Sequence, residues 1–336
     1  MNAAVLETCG QPLHLKLVPR PAPGPGEILV RLQACGVCHS DVHIWKGDFR
    51  PAVAPSPFVM GHEGVGTVAG IGADVEGWVL GDHAGVPWIH DTCCHCDECN
   101  DGMESFCQNQ RAHGLSVPGA FADYVIADAR FAVALPPGLD PVATAPVMCA
   151  GVTAYGAIKR ARLKAGETCA IFGCGGLGLY AVQIAARLGA RVIAVDRDPA
   201  KLALARRYGA AETVIADEQF AETLAQPAMR CHVCINFAPT VATWQPMLAA
   251  IRPLGRIVAA ALVTEPVPVS QEWLTGTGVT ITGTSVGSRQ DMREVVALHA
   301  ARPLENEIDP IGLDGVSAAL EALHQGRAPG RFVIRF

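Results

Sequence analysis

Two rhythms of apolar residues divide the chain. Up to Leu135 the hydrophobic positions come in short runs or alternate with small and polar residues. Ala3–Leu6 is a brief apolar run, Glu27–Leu32 alternates after the Pro- and Gly-rich Pro19–Gly26, and Gly64–Ile71 alternates small and β-branched residues. A period of two places every second side chain on one face of a sheet, so these stretches predict twisted antiparallel strands. Ala84–Trp88, after the turn at Gly81-Asp82-His83, and then Phe121–Ile126 and Phe131–Leu135 extend the pattern. Pro136-Pro137-Gly138 closes it, and Ala143–Ile158 has helical character.

Beyond Gly166 the rhythm changes to short apolar blocks separated by amphipathic stretches. Thr168–Phe172, Arg191–Val195, Thr213–Ala216, Val233–Phe237, Arg256–Ala261 and Thr280–Thr284 read as buried strands. Leu179–Leu188, Lys201–Tyr208, Phe220–Leu224 and Val241–Ile251 read as the helices between them. Alternation of this kind predicts an α/β fold with a doubly wound parallel sheet. After Val286, helices near Met292–His299 and Val316–Leu323 and a last strand at Phe332–Ile334 return the chain to the first, mainly β domain.

The first turn of the second half carries Gly173-Cys-Gly175-Gly176-Leu177-Gly178, between a strand and a helix. Strand, GxGxxG, helix and strand within about thirty residues form the unit that binds a dinucleotide, because the glycines let backbone N–H groups approach the pyrophosphate at a helix N-terminus. Asp196 ends the next strand, eighteen residues past Gly178. A carboxylate there accepts hydrogen bonds from ribose hydroxyls and repels a 2′-phosphate, which favours NAD over NADP, although Arg197 follows directly.

Composition narrows the function class. A chain of 336 residues is long enough for two cores, and a net charge of −6 gives no electrostatic reason to expect nucleic acid or an anionic membrane as partner. Pro141–Ile158 and Thr168–Ala186 are uncharged but broken by Gly, and the first also by Pro146, so buried segments fit better than membrane spans. Five of the thirteen cysteines fall between Cys93 and Cys107, which points to metal in a reducing compartment. With no basic region before an apolar run at Met-Asn-Ala-Ala-Val, the protein is expected in the cytoplasm.

Cys93, Cys96, Cys99 and Cys107 fit Cys-x2-Cys-x2-Cys-x7-Cys, four thiolates able to close a tetrahedral structural zinc site, with Cys94 and His95 as bystanders. A second set is more dispersed: Cys38, His62 and, far along the chain, Cys149. Cysteine and histidine suit zinc, and three protein ligands leave a fourth position open for chemistry. Taken singly, Cys38 reads equally as a small buried hydrophobe and His62 as a core histidine. Their neighbours favour metal: Asp41 and Glu63 suit carboxylates that orient the ligands, and Ser40 and His43 suit a path carrying a proton to solvent. Cys231 and Cys234 lie on a buried strand, where apolar packing is the expected role.

Gly-Val-Cys38-His39-Ser40-Asp41, Gly61-His62-Glu63, the cysteine lobe and Cys149-Ala-Gly-Val-Thr153 resemble the zinc-dependent alcohol dehydrogenases of the medium-chain dehydrogenase/reductase family, nearest the bacterial and yeast-type tetrameric branch. The resemblance runs from Ala3 to Phe336 and implies a Rossmann domain at 151–285. A GroES-like catalytic domain would take 1–150, with a zinc lobe at 90–110 and a return at 286–336. It implies two zinc ions per chain, a catalytic one on Cys38, His62 and Cys149 with Glu63 as an alternate ligand, and NAD as cofactor. Ser40 and His43 match the proton relay, His39 and Arg331 positions near the pyrophosphate, Thr153 one beside the nicotinamide, and Phe49 and Trp88 the walls of the alcohol pocket.

The activity implied is NAD-dependent interconversion of small alcohols and aldehydes or ketones by a homo-tetramer or dimer. A metal-free quinone or enoyl reductase would not need the three ligands together, and intact relay residues argue against a non-catalytic relative. The chain departs from the family at Ala260-Ala261-Leu262-Val263, where a Val-Gly-(Leu/Met)-Pro turn is usual, and it is trimmed around Gln226–His232.

Overall fold

The first 152 residues and the last 49 pack together, and the segment between them forms a second unit. The computed structural model describes residues 1–49, 57–328 and 330–336, in two units: Met1–Val152 with Ser288–Phe336, and Thr153–Gly287.

The first unit is mainly antiparallel β-structure. Its central strand, Glu27–Gly36, is buried at most positions and pairs with Gly64–Ile71, with Tyr124–Asp128 and, near its end, with Arg331–Arg335. His83–Val86 and Val133–Ala134 extend the sheet on one side, and Ile308–Ile311 runs parallel to Arg331–Arg335 on the other. Bulges at Leu29/Val30 and Leu32/Ala34 add twist to the central strand. Ile28, Val30, Leu32, Met60, Phe121 and Ile334 fill the core beneath it. A smaller sheet of His14–Leu17, Asn2–Leu6 and Phe58–Val59 lies in the same unit.

The second unit is a parallel sheet in the strand order Glu212–Ile215, Arg191–Asp196, Thr168–Phe172, Cys231–Asn236, Ile251–Ala259, Thr280–Gly283. The order reverses direction between Thr168–Phe172 and Cys231–Asn236, and ligands of open α/β sheets bind at the carboxyl ends of strands at such a switch point. Cys231 and Cys234 are fully buried in its apolar core with Phe172, Ile193 and Met247.

Where the elements differ from the sequence pattern, the reasons are local. The helix expected over Ala143–Ile158 is broken: helix Pro141–Thr144, a 3₁₀ turn Ala145–Met148 and helix Ala150–Arg160, bent by 45°. Pro146 has no N–H to continue the ladder, and Cys149 sits at the break with φ −129° and ψ −64°. Among the described residues no single helix is long and apolar enough to cross a membrane, and this bent pair, which passes on length and composition, is largely buried. Phe121 belongs to a buried loop, and the strand following it spans Tyr124–Asp128. The segment expected as one helix over Val241–Ile251 is a 3₁₀ turn followed by helix Trp244–Ala250, and Ile251 already begins a strand that ends at Ala259.

Candidate active site

Helix His39–Lys46 starts immediately after Cys38, and Asp41 in its first turn joins two prospective ligands. One carboxylate oxygen accepts the Cys38 backbone N–H at 2.8 Å, and the other lies 3.1 Å from His62 Nδ1. That second contact is at ion-pair distance without hydrogen-bond alignment. Gly61 makes the turn that delivers His62: its φ is +97°, and a Cβ there would lie 2.8 Å from Phe121 Cε1. The kink after Met148 brings Cys149 to the same place, with its Sγ 3.8 Å from that of Cys38. One donor atom each from Cys38, His62, Glu63 and Cys149 lies within 4.8 Å of the other three, and all four residues are buried.

This donor set fits zinc. Two thiolate sulfurs, each about 2.3 Å from a tetrahedral zinc ion, lie about 3.8 Å apart, which is the Cys38–Cys149 spacing. His62 is fully buried, yet neither ring nitrogen has a hydrogen-bond partner. A buried lone pair beside two sulfurs is costly unless something ligates it. The hydrogen bond from Cys149 holds the Cys38 thiol well below the usual range against the effect of burial, and Cys149 is raised in return. Burial opposes protonation of His62, but Asp41 and Cys38 together outweigh it and lift the imidazole well above its ordinary value.

Glu63 is fully buried and its two oxygens are taken by the Arg331 guanidinium, itself 5% exposed. Burial pushes the Glu63 carboxyl up to about 7 despite that cation. Ser40 is half-buried on the helix after Cys38, and three residues on, His43 pairs through Nδ1 with Asp48 at 2.8 Å. Phe49 is half-buried, 5.6 Å from the His43 ring. Trp88 meets the His62 ring edge-to-face at 4.8 Å and 88°.

The lobe has the same signature. Cys93, Cys96, Cys99 and Cys107 converge, with Cys93 Sγ 3.9 Å from Cys99 Sγ and 3.6 Å from Cys107 Sγ. Backbone N–H groups of His95 and Cys96 point at the Cys93 sulfur and draw its pKa down to about 6, which favours the thiolate form that ligates metal. Cys94, with φ +60°, turns its sulfur towards Thr92 and stays outside the group.

In the second unit, the glycines after Phe172 have separate duties. Gly173 has φ +88°, and a Cβ on it would lie 2.8 Å from Ala238 N. Gly178 packs against that same turn, and a Cβ would lie 2.9 Å from the Gly173 carbonyl carbon and overlap its oxygen. A Cβ on Gly175 would meet nothing within 4 Å, which leaves an open cradle at the start of helix Gly176–Arg187, the place and shape a pyrophosphate needs. Leu177 is half-buried in the helix's first turn. Asp196 accepts N–H groups from Cys174 at 2.7 Å and Asp198 at 2.9 Å, so it also shapes the glycine turn. Thr153 is buried on helix Ala150–Arg160. The Ala260–Val263 segment leaves the sheet with two N–H groups on Asn236 O at 3.0 Å and Leu262 58% exposed.

Sequence reasoning missed the Glu63–Arg331 pair, because nothing local links residues 268 apart. It also missed Glu104, 3% exposed, whose carboxylate binds the backbone N–H and guanidinium of Arg289. Gln110, which bonds the Trp88 indole, carried no pattern at all.

The profile of the "alcohol dehydrogenase GroES-like domain" family matches residues 24–137, and that of the "zinc-binding dehydrogenase" family matches residues 176–301. An alcohol dehydrogenase from Moraxella sp. (strain TAE123) is 39% identical over 337 residues, covering 100% of this chain and 99% of that protein. Among solved structures, acetophenone reductase from Geotrichum candidum in complex with NAD aligns with a TM-score of 0.87 and 29% identity, over 100% of this chain and 97% of that one. A zinc-binding dehydrogenase from Sinorhizobium meliloti bound to NADP, itself described as putative, aligns with a TM-score of 0.89 and 27% identity, over 100% and 99% of the two chains.

Proposed function

Since the chain belongs to the zinc-binding alcohol dehydrogenase family, we propose a role for each residue of its candidate site. The enzyme interconverts alcohols and aldehydes or ketones by hydride transfer with a nicotinamide dinucleotide. Cys38, His62 and Cys149 hold the catalytic zinc, and Cys93, Cys96, Cys99 and Cys107 hold a second, structural one. The observation that carries the first assignment is the fully buried, unpartnered His62 nitrogen beside two sulfurs 3.8 Å apart.

Bound zinc supplies Lewis acidity towards the alcohol oxygen, and the dinucleotide supplies the hydride acceptor. The protein does the remaining work. Asp41 holds the Cys38 backbone by a hydrogen bond and sets its other oxygen 3.1 Å from His62 Nδ1, so one carboxylate bears on both ligands. The Ser40 hydroxyl takes the proton released by the alcohol and His43 carries it outward, its ring held by Asp48. Arg331 balances the Glu63 carboxylate, which otherwise would be a lone buried charge beside the thiolates and stands as an alternate ligand. Trp88 and Phe49 wall the alcohol pocket and exclude water.

Gly173, Gly175, Gly176, Leu177 and Gly178 cradle the pyrophosphate, Thr153 borders the nicotinamide, and His39 and Arg331 are further cofactor contacts. Of those last two, His39 is exposed while Arg331 is engaged by Glu63. Asp196 at the strand end supports NAD as the preferred cofactor. Thirteen cysteines support a reducing cytoplasm, and the likeness to the tetrameric branch supports a homo-tetramer or dimer. The test is a panel of primary, secondary and aromatic alcohols assayed with NAD and with NADP, alongside a metal count. Turnover with NAD and about two zinc ions per chain are expected. No alcohol-dependent reduction of either nucleotide would overturn the reading.

A further inference from the structure

Trp88 is fixed at two points. Its carbonyl accepts the His113 N–H at 2.9 Å, where strand Ile89–Asp91 pairs with Arg111–Ala112, and its indole N–H donates to Gln110 Oε1 at 3.0 Å. Indole has one donor and no acceptor, so the Gln110 amide can face it only through oxygen. That orientation leaves Gln110 Nε2 free to donate, and it does so to Ser105 O at 3.0 Å. Ser105 lies in the turn Glu104–Phe106, between the lobe cysteines Cys99 and Cys107, and the Gln110 backbone N–H returns to Cys107 O at 3.2 Å. The chain of contacts therefore runs from the cysteine lobe through Gln110 to Trp88, and from Trp88 edge-to-face onto the His62 ring at 4.8 Å.

We propose that Gln110 is a positioning residue for the alcohol reaction: it sets the rotation of the Trp88 ring, and through that ring the width of the alcohol pocket and the setting of His62. This deepens the functional reading above and rests on its placement of Trp88 at the pocket wall. An indole held at its backbone and at its ring nitrogen cannot turn about its side-chain bonds. With the amide removed, only packing resists that turn, and a partly buried N–H loses its partner. The lobe thereby bears on which alcohols fit, because its closed turn holds the carbonyl that orients the Gln110 amide.

Gln110→Leu keeps the side-chain bulk and removes both hydrogen bonds, whereas Gln110→Glu keeps an acceptor for the indole. Each is compared with wild type and with Trp88→Phe, alone and combined, for kcat/KM on ethanol against benzyl alcohol, metal content and the tryptophan emission lost on replacing Trp88. Gln110→Leu is expected to shift the ratio of the two alcohols by about three- to tenfold, to alter the Trp88 emission and to leave the metal count unchanged. Gln110→Glu should fall nearer wild type, and Gln110→Leu should add nothing once Trp88 is Phe. An unchanged ratio and emission in Gln110→Leu would overturn the proposal, as would an equal shift with and without Trp88. A Trp88→Phe enzyme with wild-type selectivity would instead refute the pocket reading, and the emission change in Gln110→Leu would still decide whether Gln110 sets the ring.

Discussion

Replacing Gly175 and Gly178 each by Ala separates what the dinucleotide needs from what the fold needs. At Gly178 an added methyl carbon would lie 2.9 Å from the Gly173 carbonyl carbon and closer still to its oxygen, and both are backbone atoms in a turn pinned by Asp196. Real Cβ atoms do not approach so near, so the helix or the turn must shift. Forced overpacking of this kind costs about 1–3 kcal/mol, and at ~2–4 °C per kcal/mol for a domain of this size the melting temperature should fall by roughly 2–12 °C. Gly175 has φ −81° and ψ −157°, close to extended backbone, and its methyl would touch no protein atom. Gly175→Ala should therefore change stability by less than about 1 kcal/mol. The same methyl fills the cradle at the helix N-terminus, and NADH affinity should drop by about tenfold or more, worth ~1.4 kcal/mol or above. Thermal melts and NADH titrations of both variants decide the matter. Wild-type NADH affinity in Gly175→Ala would refute the cradle, and an unchanged melt in Gly178→Ala would refute the close approach.

Three further outcomes are expected. Cys99→Ala should lose the lobe metal and melt at a lower temperature, and an unchanged melt with the full metal count would count against a structural lobe. Asp196→Ala should raise NADP use relative to NAD, and a constant ratio would remove Asp196 from the cofactor site; its two bonds to backbone N–H groups also predict a looser glycine turn. His113 is 1% exposed, and burial, helped by neighbouring His90, lowers its pKa from an ordinary 6.5 to about 3. The native state thus binds fewer protons than the unfolded chain between those values. The stability involved is present above pH ~6.5 and is lost as pH falls towards ~3, by up to about 4–5 kcal/mol. His113→Gln should flatten that acid limb in urea unfolding series, and an identical pH profile would contradict the buried neutral imidazole.

What could be read from the sequence was what is local. The glycine turn after Phe172, the cysteine spacing of the lobe and the Cys38–Asp41 run each place their chemistry within a short stretch of chain. The family expectation and the two-part α/β architecture held because these motifs fix the strands and helices around them. The kink at Cys149 was hidden because apolar periodicity continues across Pro146, although the missing N–H forces a tighter turn there. Strands His14–Leu17 and Ile308–Ile311 are sheet edges with no buried residue, so even the alternation of Leu15 and Leu17 marks no inward face, and Pro310 is tolerated in the latter because it lies at an edge. Contacts across long separations, Glu63 with Arg331 and Glu104 with Arg289, depend on the closed fold and leave no trace in a pattern.

The account stands on a cysteine far from the other two ligands reaching the same metal ion. Cys149→Ser, assayed for bound zinc, NADH affinity and alcohol-dependent NAD reduction, tests this most directly. The expected enzyme binds one zinc ion fewer per chain than wild type, binds NADH normally and has no alcohol turnover. Full metal content together with undiminished turnover would contradict it.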